Sequence, residues 1–245
     1  MSDRSKDPSF PTTQWTLISR IRSRDASVAA RALDEICAQY HYPLYCYIRR
    51  RGLDHHDAQD ALHDFLAKLL RLETFENAHA EKGRLRSLLA AALGRFLINW
   101  HRDHARRDRE VSTDSEAALT EAETRYLREH FTDADTPERV FERKWAQELM
   151  QHVLSRLNLR FESNGRGELF RALRPTLLRG GSLRDENADA IASSLGMKTT
   201  ALRVANSRLL RDYRKLFEEE VRQTVDLDEE VPAEIASLRS LFGAR

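Results

Sequence analysis

The chain has little glycine, proline and cysteine, and it has no long hydrophobic run. Nine glycines and six prolines in 245 residues leave few positions that end helices or form tight turns. The two cysteines, Cys37 and Cys46, lie in apolar patterns of helical spacing and form no CxxC motif. We therefore expect buried free thiols in a reducing compartment, which argues against a disulfide scaffold or a cysteine zinc site. No stretch approaches the roughly 18 apolar residues of a membrane span, and the N-terminus lacks a signal-peptide core, so we expect a cytoplasmic protein.

Helix-forming residues take the place of the missing turn residues. Leucine, alanine, arginine and glutamate dominate, which predicts an all-α protein, and the length allows one large or two small domains. The net charge of +1 conceals a segregation along the chain. Segment 84–109 has seven arginines against two aspartates, and segment 198–215 has six basic residues against one acid. Between them, segment 108–142 has eleven acids against four arginines, so an acidic region separates two basic ones.

The stretch 83–107, GRLRSLLAAALGRFLINWHRDHARR, carries two stripes of helical spacing. Its apolar stripe ends at Trp100 and predicts a buried helix face. The polar stripe beside it consists of Arg95, Asn99, Arg102 and Arg106. Guanidinium groups suit phosphates and an amide suits base edges, so one interpretation is a nucleic-acid edge. The other is a core helix with a solvated cationic end, which suits the helix dipole, and Trp100 fits either interpretation.

Besides a short helix over 13–23, two longer helices are predicted before this stretch. The first runs from about residue 28 to Gly52, and we expect Pro43 to break or kink it because proline removes a backbone donor. The second begins at 54–56, and one side of it carries Asp57, Asp60 and Asp64. Like charges at this spacing repel one another, so the stripe costs stability unless a cation meets it. A solvated acidic face and a docking surface for a basic partner both remain open.

Segment 187–211, NADAIASSLGMKTTALRVANSRLLR, has the pattern of a helix-turn-helix. Gly196 stands where a left-handed turn residue is needed, and Thr199 or Thr200 is placed to cap the second helix. A helix that enters the major groove by its N-terminus contacts bases and phosphates with outward polar residues. The outward candidates are Lys198, Thr199, Thr200, Arg203, Asn206 and Ser207, followed along the DNA backbone by Arg208 and Arg211. A structural helical hairpin is the alternative.

With both motifs placed, the chain resembles an RNA polymerase sigma factor of the extracytoplasmic-function class of the sigma-70 family. HDAQDALHDFLAKLL resembles the polymerase-docking helix of region 2, and 83–107 resembles the helix of that region that melts the promoter. The helix-turn-helix at 187–208 resembles that of region 4. Gln59 and His63 depart from the Glu and Gln usual in the docking helix, and Thr200–Ala201 departs from the usual Gly–Thr.

The resemblance implies two small helical domains, like sigma regions 2 and 4, that are joined by an acidic linker. The expected boundaries are an N-terminal extension 1–25, a region 2-like domain 26–109, an acidic linker 110–140, a region 4-like domain 141–217 and an acidic C-terminal extension 218–245. We expect a helical piece near 115–130 within the linker, and a break at Pro175 in the second domain.

The resemblance also implies a function and its residues. The chain is then no enzyme, needs no cofactor or metal, binds core RNA polymerase and promoter DNA, and starts transcription; an anti-sigma factor is a further candidate partner, and no membrane is involved. The docking residues implied are Asp57, Asp60, Ala61, Asp64 and Phe65. The residues implied for the melted −10 element are Asn77, His79, Arg95, Asn99, Trp100, Arg102 and Arg106. The residues implied for the −35 element are the eight helix-turn-helix candidates from Lys198 to Arg211 named above.

Two rival functions fit parts of the sequence. A helix-turn-helix regulator that acts without polymerase docking explains 187–211 but leaves the polar stripe of 83–107 and the acidic stripe without a role. A metal-dependent hydrolase is the enzyme alternative. Its candidate ligands are His55, His56, Asp57, Asp60, His63 and Asp64. Metal ligands of such helical hydrolases come from several helices, whereas these come from one, so we favour the sigma-factor interpretation.

Overall fold

The structure is a computed structural model, and it describes residues 20–21, 23, 25–70, 84–107, 120–183, 185–225 and 227–243. These residues form helices and turns and contain no strand, which confirms the predicted all-α class. No described helix combines the length and the apolar character needed to cross a membrane. The helices are α1 (Ala26–Arg50), α2 (His55–Leu70), α3 (Leu85–Arg107), α4 (Glu121–Leu127), α5 (Pro137–Ser163), α6 (Gly167–Leu178), α7 (Asp185–Ser194), α8 (Thr199–Arg222), a short 3-10 helix (Asp228–Glu230) and α9 (Val231–Gly243).

The chain divides into two compact units. Of the described residues, the first unit contains those up to Gln147 and again those from Arg222 onward, and the second unit contains those of Glu148–Val221. Both ends of the second unit are therefore joined covalently to the first. The chain passes from one unit to the other inside α5 and at the end of α8.

The core of the first unit is built around α1. Tyr40 is fully buried, and its ring lies 6.4 Å from that of Phe141 and 6.3 Å from that of Trp145. Contrary to expectation, α1 continues without interruption through Pro43. A proline inside a helix costs about 3 kcal/mol, whereas each fully buried large apolar side chain contributes about 1.5–3 kcal/mol. The buried residues on both sides of Pro43 therefore outweigh the lost backbone bond. In the same way, α6 continues through Pro175.

The acidic segment 110–140 was expected to link two domains, but its described part packs on α1. Two guanidinium nitrogens of Arg49, Nε and Nη2, each donate to the carboxylate of Glu123 at 3.0 Å, and the Tyr45 hydroxyl donates to the same carboxylate at 2.6 Å. The predicted helical piece exists as α4. Segment 120–147 thus belongs to the first unit, and the second unit begins later than the predicted boundary at residue 141.

The C-terminal extension 218–245 also differs from an acidic tail. Val231 and Leu238 of α9 are buried, and Glu234 is fully buried. The Glu234 carboxylate lies 2.7 Å from the guanidinium of Arg84 and also accepts from Arg86. From Arg222 onward this segment is therefore a structural part of the first unit.

The second unit has its own apolar core. The side chains of this core come from the C-terminal half of α5 and from α6, α7 and α8: Val153, Leu154, Leu157, Phe161, Phe170, Leu173, Leu177, Ala188, Ala192, Leu202, Ala205, Leu209 and Leu216. One buried carboxylate, that of Glu220, accepts from Arg156. Burial of this set fixes α7 and α8 against each other and against the two preceding helices.

Both cysteines are free thiols. Cys46 is buried, and its burial raises the pKa of the thiol to about 12. Cys37 is half-buried, and the pKa of its thiol is likewise raised by burial. A thiol with a raised pKa is a poor nucleophile and a poor metal ligand at neutral pH, which agrees with a packing role.

Candidate nucleic-acid interface

A glycine-based turn connects α7 to α8. Gly196 has φ +61°, a left-handed conformation that costs glycine little. Its N–H donates to the carbonyl of Ser193, and the N–H of Met197 donates to the carbonyl of Ala192. These two bonds form a Schellman motif, which ends α7 sharply and turns the chain into α8, as the helix-turn-helix pattern predicts.

The two helices meet through small and branched apolar residues. Ala188 and Ala192 of α7 share the buried core with Leu202 and Ala205 of α8, and alanine allows two helix backbones to approach closely. Thr199 is the first residue of α8. Its hydroxyl donates to the carboxylate of Asp189 in α7 at 2.6 Å. Thr199 therefore connects the two helices, whereas the sequence pattern predicted that either Thr199 or Thr200 caps the second helix.

The opposite side of α8 is exposed and cationic. The exposed candidates are Lys198, Thr200, Arg203, Ser207, Arg208 and Arg211. A shallow depression of about 290 Å³ runs along this face, lined by Arg203, Val204, Ser207, Arg208 and Arg211. Guanidinium and hydroxyl groups at the start of a helix suit the acceptors of a DNA groove and the flanking phosphates.

Asn206 is not part of that face, although its polar side chain was predicted to lie there. Its side chain is only 5% exposed, and its amide nitrogen donates to the carbonyl of Gly181 at 3.0 Å. The reason is helical phase, because position 206 lies only about 40° around the helix from Leu202. Asn206 therefore anchors the turn between α6 and α7 and cannot contact DNA while the unit is folded.

In the first unit, the polar stripe of α3 is exposed over its described length. Arg95, Asn99 and Arg102 are exposed, and the guanidinium of Arg102 donates to the amide oxygen of Asn99 at 3.1 Å. This bond uses the amide oxygen of Asn99, whose amide nitrogen is the hydrogen-bond donor of the same side chain. The side chain of Arg106, and the whole of Asn77 and His79, lie outside the described residues.

Trp100 lies at the edge between α3 and α2. Its side chain is 6% exposed, and its indole N–H donates to the carboxylate of Asp64 at 3.2 Å. The ring therefore packs in the interior, which favours the core interpretation over base stacking. The bond to Asp64 also joins the acidic face of α2 to the cationic helix α3.

The acidic stripe of α2 is only partly a surface. Asp60 and Asp64 are exposed, and Asp57 is half-buried. In the described part of the chain, no lysine or arginine forms an ion pair with Asp60 or Asp64. Ala61 and Phe65, also proposed for docking, are fully buried because they lie on the apolar side of α2. They can support a docking face but cannot touch a partner.

Two residues of note were not recognised from the sequence, the exposed Val204 of α8 and the buried Glu234 of α9. Val204 was assigned to no face of the helix. About 200° of helix rotation separates it from Leu202, and because Leu202 lies on the buried side, this rotation alone predicts that Val204 is exposed. Glu234 was treated as part of an acidic tail. Its partners, Arg84 and Arg86, lie 148 to 150 positions away in the chain, and no local pattern signals such a pairing.

The described residues contain no assembled metal site of the kind that the hydrolase alternative requires. No group of three or more histidines, cysteines and carboxylates there is arranged to hold a metal ion. The Nδ1 of His55 instead lies 3.0 Å from the hydroxyl of Tyr45, within the cluster that fixes α4 on α1.

Comparison with known proteins does not identify the chain. No protein-family model matches it. No curated protein and no solved structure matches it either. Its function must therefore be inferred from its own residues and their arrangement.

Proposed function

We propose that this chain is a sigma factor of the extracytoplasmic-function class, which binds core RNA polymerase and directs promoter recognition, DNA melting and transcription initiation. The observation that carries the proposal is the exposed cationic face of α8, presented by a turn of helix-turn-helix geometry in a compact unit of its own. The first unit adds an exposed polar stripe on α3 and an acidic face on α2. A polymerase-bound promoter factor gives each of these three surfaces a role.

The second unit is proposed to bind the −35 element as duplex DNA. The N-terminal turns of α8 enter the major groove, where arginine suits guanine acceptors and serine suits either donors or acceptors. Thr200, Arg203 and Ser207 lie nearest that end of the helix and are exposed. Arg208 and Arg211 follow on the same face and are suited to phosphates, which supply most of the affinity of such complexes.

The first unit is proposed to hold the melted −10 strand and to dock on the polymerase. Extruding a base costs a few kcal/mol, which backbone and base contacts of exposed Arg95, Asn99 and Arg102 help to offset. Because Trp100 is buried, stacking by that ring is no longer part of the proposal. Asp60 and Asp64 are the acidic groups offered to a basic polymerase surface.

Charge reversal on α2 tests the docking role. We expect Asp60→Arg to abolish pull-down of core RNA polymerase and run-off transcription, because it places a cation where the partner surface is basic. The matched control is Glu168→Arg, an exposed acid of α6 in the second unit, which should bind core polymerase normally. Core binding by the Asp60→Arg variant at wild-type strength would refute the docking face.

A helix-turn-helix regulator without polymerase docking is the second candidate, because the second unit has a complete core of its own. The same experiment separates the two functions. A regulator would bind duplex DNA but would not retain core polymerase, and Asp60→Arg would leave its DNA binding unchanged.

A further inference from the structure

One apolar side chain lies in the middle of the cationic face of α8. Val204 is 51% exposed and lines the same shallow depression as Arg203, Ser207, Arg208 and Arg211. The helix gains nothing from this choice, because valine has a lower helix propensity than alanine and an exposed side chain contributes no core packing. Val204 is therefore available to contact a partner that binds this face of α8.

The place of Val204 on the helix matches that of a base-reading residue. It is the sixth residue of α8, and the first two turns of a recognition helix are those that reach base edges. Ser207 and Arg208 follow it at the three-and-four spacing that brings side chains together on one helix face. A small apolar group thus lies between hydrogen-bonding groups in the part of α8 proposed to enter the groove.

The major groove offers one apolar group to such a side chain. Thymine carries a 5-methyl group there, and apolar side chains recognise it by contact, while arginine and serine take the hydrogen-bonding atoms of neighbouring bases. A protein partner would also accept an apolar residue, but six basic residues against one acid in 198–215 favour a polyanion.

On the basis of the proposed function, we infer that Val204 is a specificity-determining residue that contacts the 5-methyl group of one thymine in the duplex bound by α8. The upstream promoter element then contains a thymine at the position that faces Val204. Arg208, one turn further along the helix, contacts the guanine or the phosphate beside it.

Deoxyuridine tests this inference, because it lacks only the methyl group of thymidine. Duplexes are first selected from a randomised library by the full-length chain, both alone and assembled with core RNA polymerase. Each thymine of the selected duplex is then replaced singly by deoxyuridine, and binding by the wild-type chain and by Val204→Ala is compared. Leu178→Ala, an exposed apolar position on α6 that is 57% exposed, is the matched control.

We expect one position at which deoxyuridine weakens wild-type binding about fourfold, the change that corresponds to one buried methylene-sized group. Val204→Ala should bind the thymine duplex more weakly than wild type and should lose most of its sensitivity at that one position. Leu178→Ala should keep the wild-type sensitivity.

Three results would overturn the inference, and only the third of them also overturns the proposed function. If a duplex is selected but no thymine methyl matters, or if Val204→Ala keeps the full sensitivity, Val204 reads no thymine and the proposed promoter function stands. If neither the chain alone nor its assembly with core polymerase selects any duplex, the proposed function fails and the inference fails with it.

Discussion

Asp135 shows how one carboxylate fixes the turn that leads into α5. The Thr132 amide donates to this carboxylate at 2.8 Å, and Arg143 donates to its other oxygen at 2.8 Å. The backbone bond from Thr132, together with the guanidinium of Arg143, lowers the pKa of Asp135 to about 2 from an ordinary value of 3.8. The charged form is therefore favoured in the folded chain, and its loss on acidification weakens the turn.

The lowered pKa of Asp135 predicts that the folded chain loses stability on acidification, and that Asp135→Asn removes this part of the pH dependence. The folded pKa lies below the unfolded one, so the stabilisation is complete above about pH 4 and is lost as the pH falls towards 2. Asp135→Asn should lower the free energy of unfolding at pH 7 by about 1 kcal/mol and should flatten its decrease between pH 4 and 2. The measurement is urea unfolding across this pH range, with the exposed Asp133→Asn as control. Parallel pH profiles for Asp135→Asn and wild type would contradict the assignment.

At the scale of the helices, sequence periodicity predicted what depends on neighbours along the chain. The apolar stripes of α3 and α8 and the turn at Gly196 are local patterns, and the structure contains all three. The expected break at Pro43 did not occur, because the free energy lost by placing proline inside a helix is smaller than that gained by burying the aromatic residues around it. Asn206 was placed outward by its chemical type, whereas its phase on the helix places it inside.

What the sequence could not predict are pairings between distant segments. Arg49 and Glu123 are 74 positions apart, and Arg86 and Glu234 are 148 apart. An acidic run that forms such pairs has the same composition as a solvated linker or tail. The segments around α4 and α9 were therefore assigned to a linker and an extension, although residues of both pack inside the first unit.

The turn between α6 and α7 supports a prediction for the DNA-binding unit. Gly180 and Gly181 both have positive φ, +94° and +79°. A Cβ on Gly181 would lie 2.4 Å from a methyl carbon of Leu210 in α8, whereas a Cβ on Gly180 would meet nothing within 4 Å. Both substitutions to alanine incur the left-handed backbone cost of about 1–2 kcal/mol, but only Gly181→Ala must also displace α8 or its side chains.

We therefore expect Gly181→Ala to destabilise the second unit more than Gly180→Ala does, and to weaken duplex binding as well. Hydrogen exchange of the α8 amides measures the first effect, and binding to a selected duplex measures the second. Gly180→Ala serves as the matched control for the backbone cost. Equal exchange and equal binding in the two variants would show that Leu210 yields freely and that the close approach at Gly181 has no role.

At the scale of the whole molecule, α9 is a structural part of the unit that also contains α1 to α4. Arg84 and Arg86 lie at the N-terminal end of α3, where cations are unfavourable because of the helix dipole, and Glu234 of α9 neutralises them. The guanidinium carbon of Arg86 also lies 4.7 Å from the ring centre of Trp145. The helix proposed to hold the melted strand therefore has its start fixed by the last helix of the chain.

Glu234→Gln tests this dependence with a substitution of nearly the same shape. It leaves the buried guanidinium of Arg86 without a countercharge, and breaking one side of a buried pair costs about 3–5 kcal/mol. We expect a lower urea midpoint for the first unit, which tryptophan fluorescence reports without interference from the second unit because none of the three tryptophans lies in 148–221. Hydrogen exchange in 148–221 should change little, and the exposed Glu229→Gln should behave as wild type. An unchanged midpoint for Glu234→Gln would mean that α9 does not hold α3 through this carboxylate.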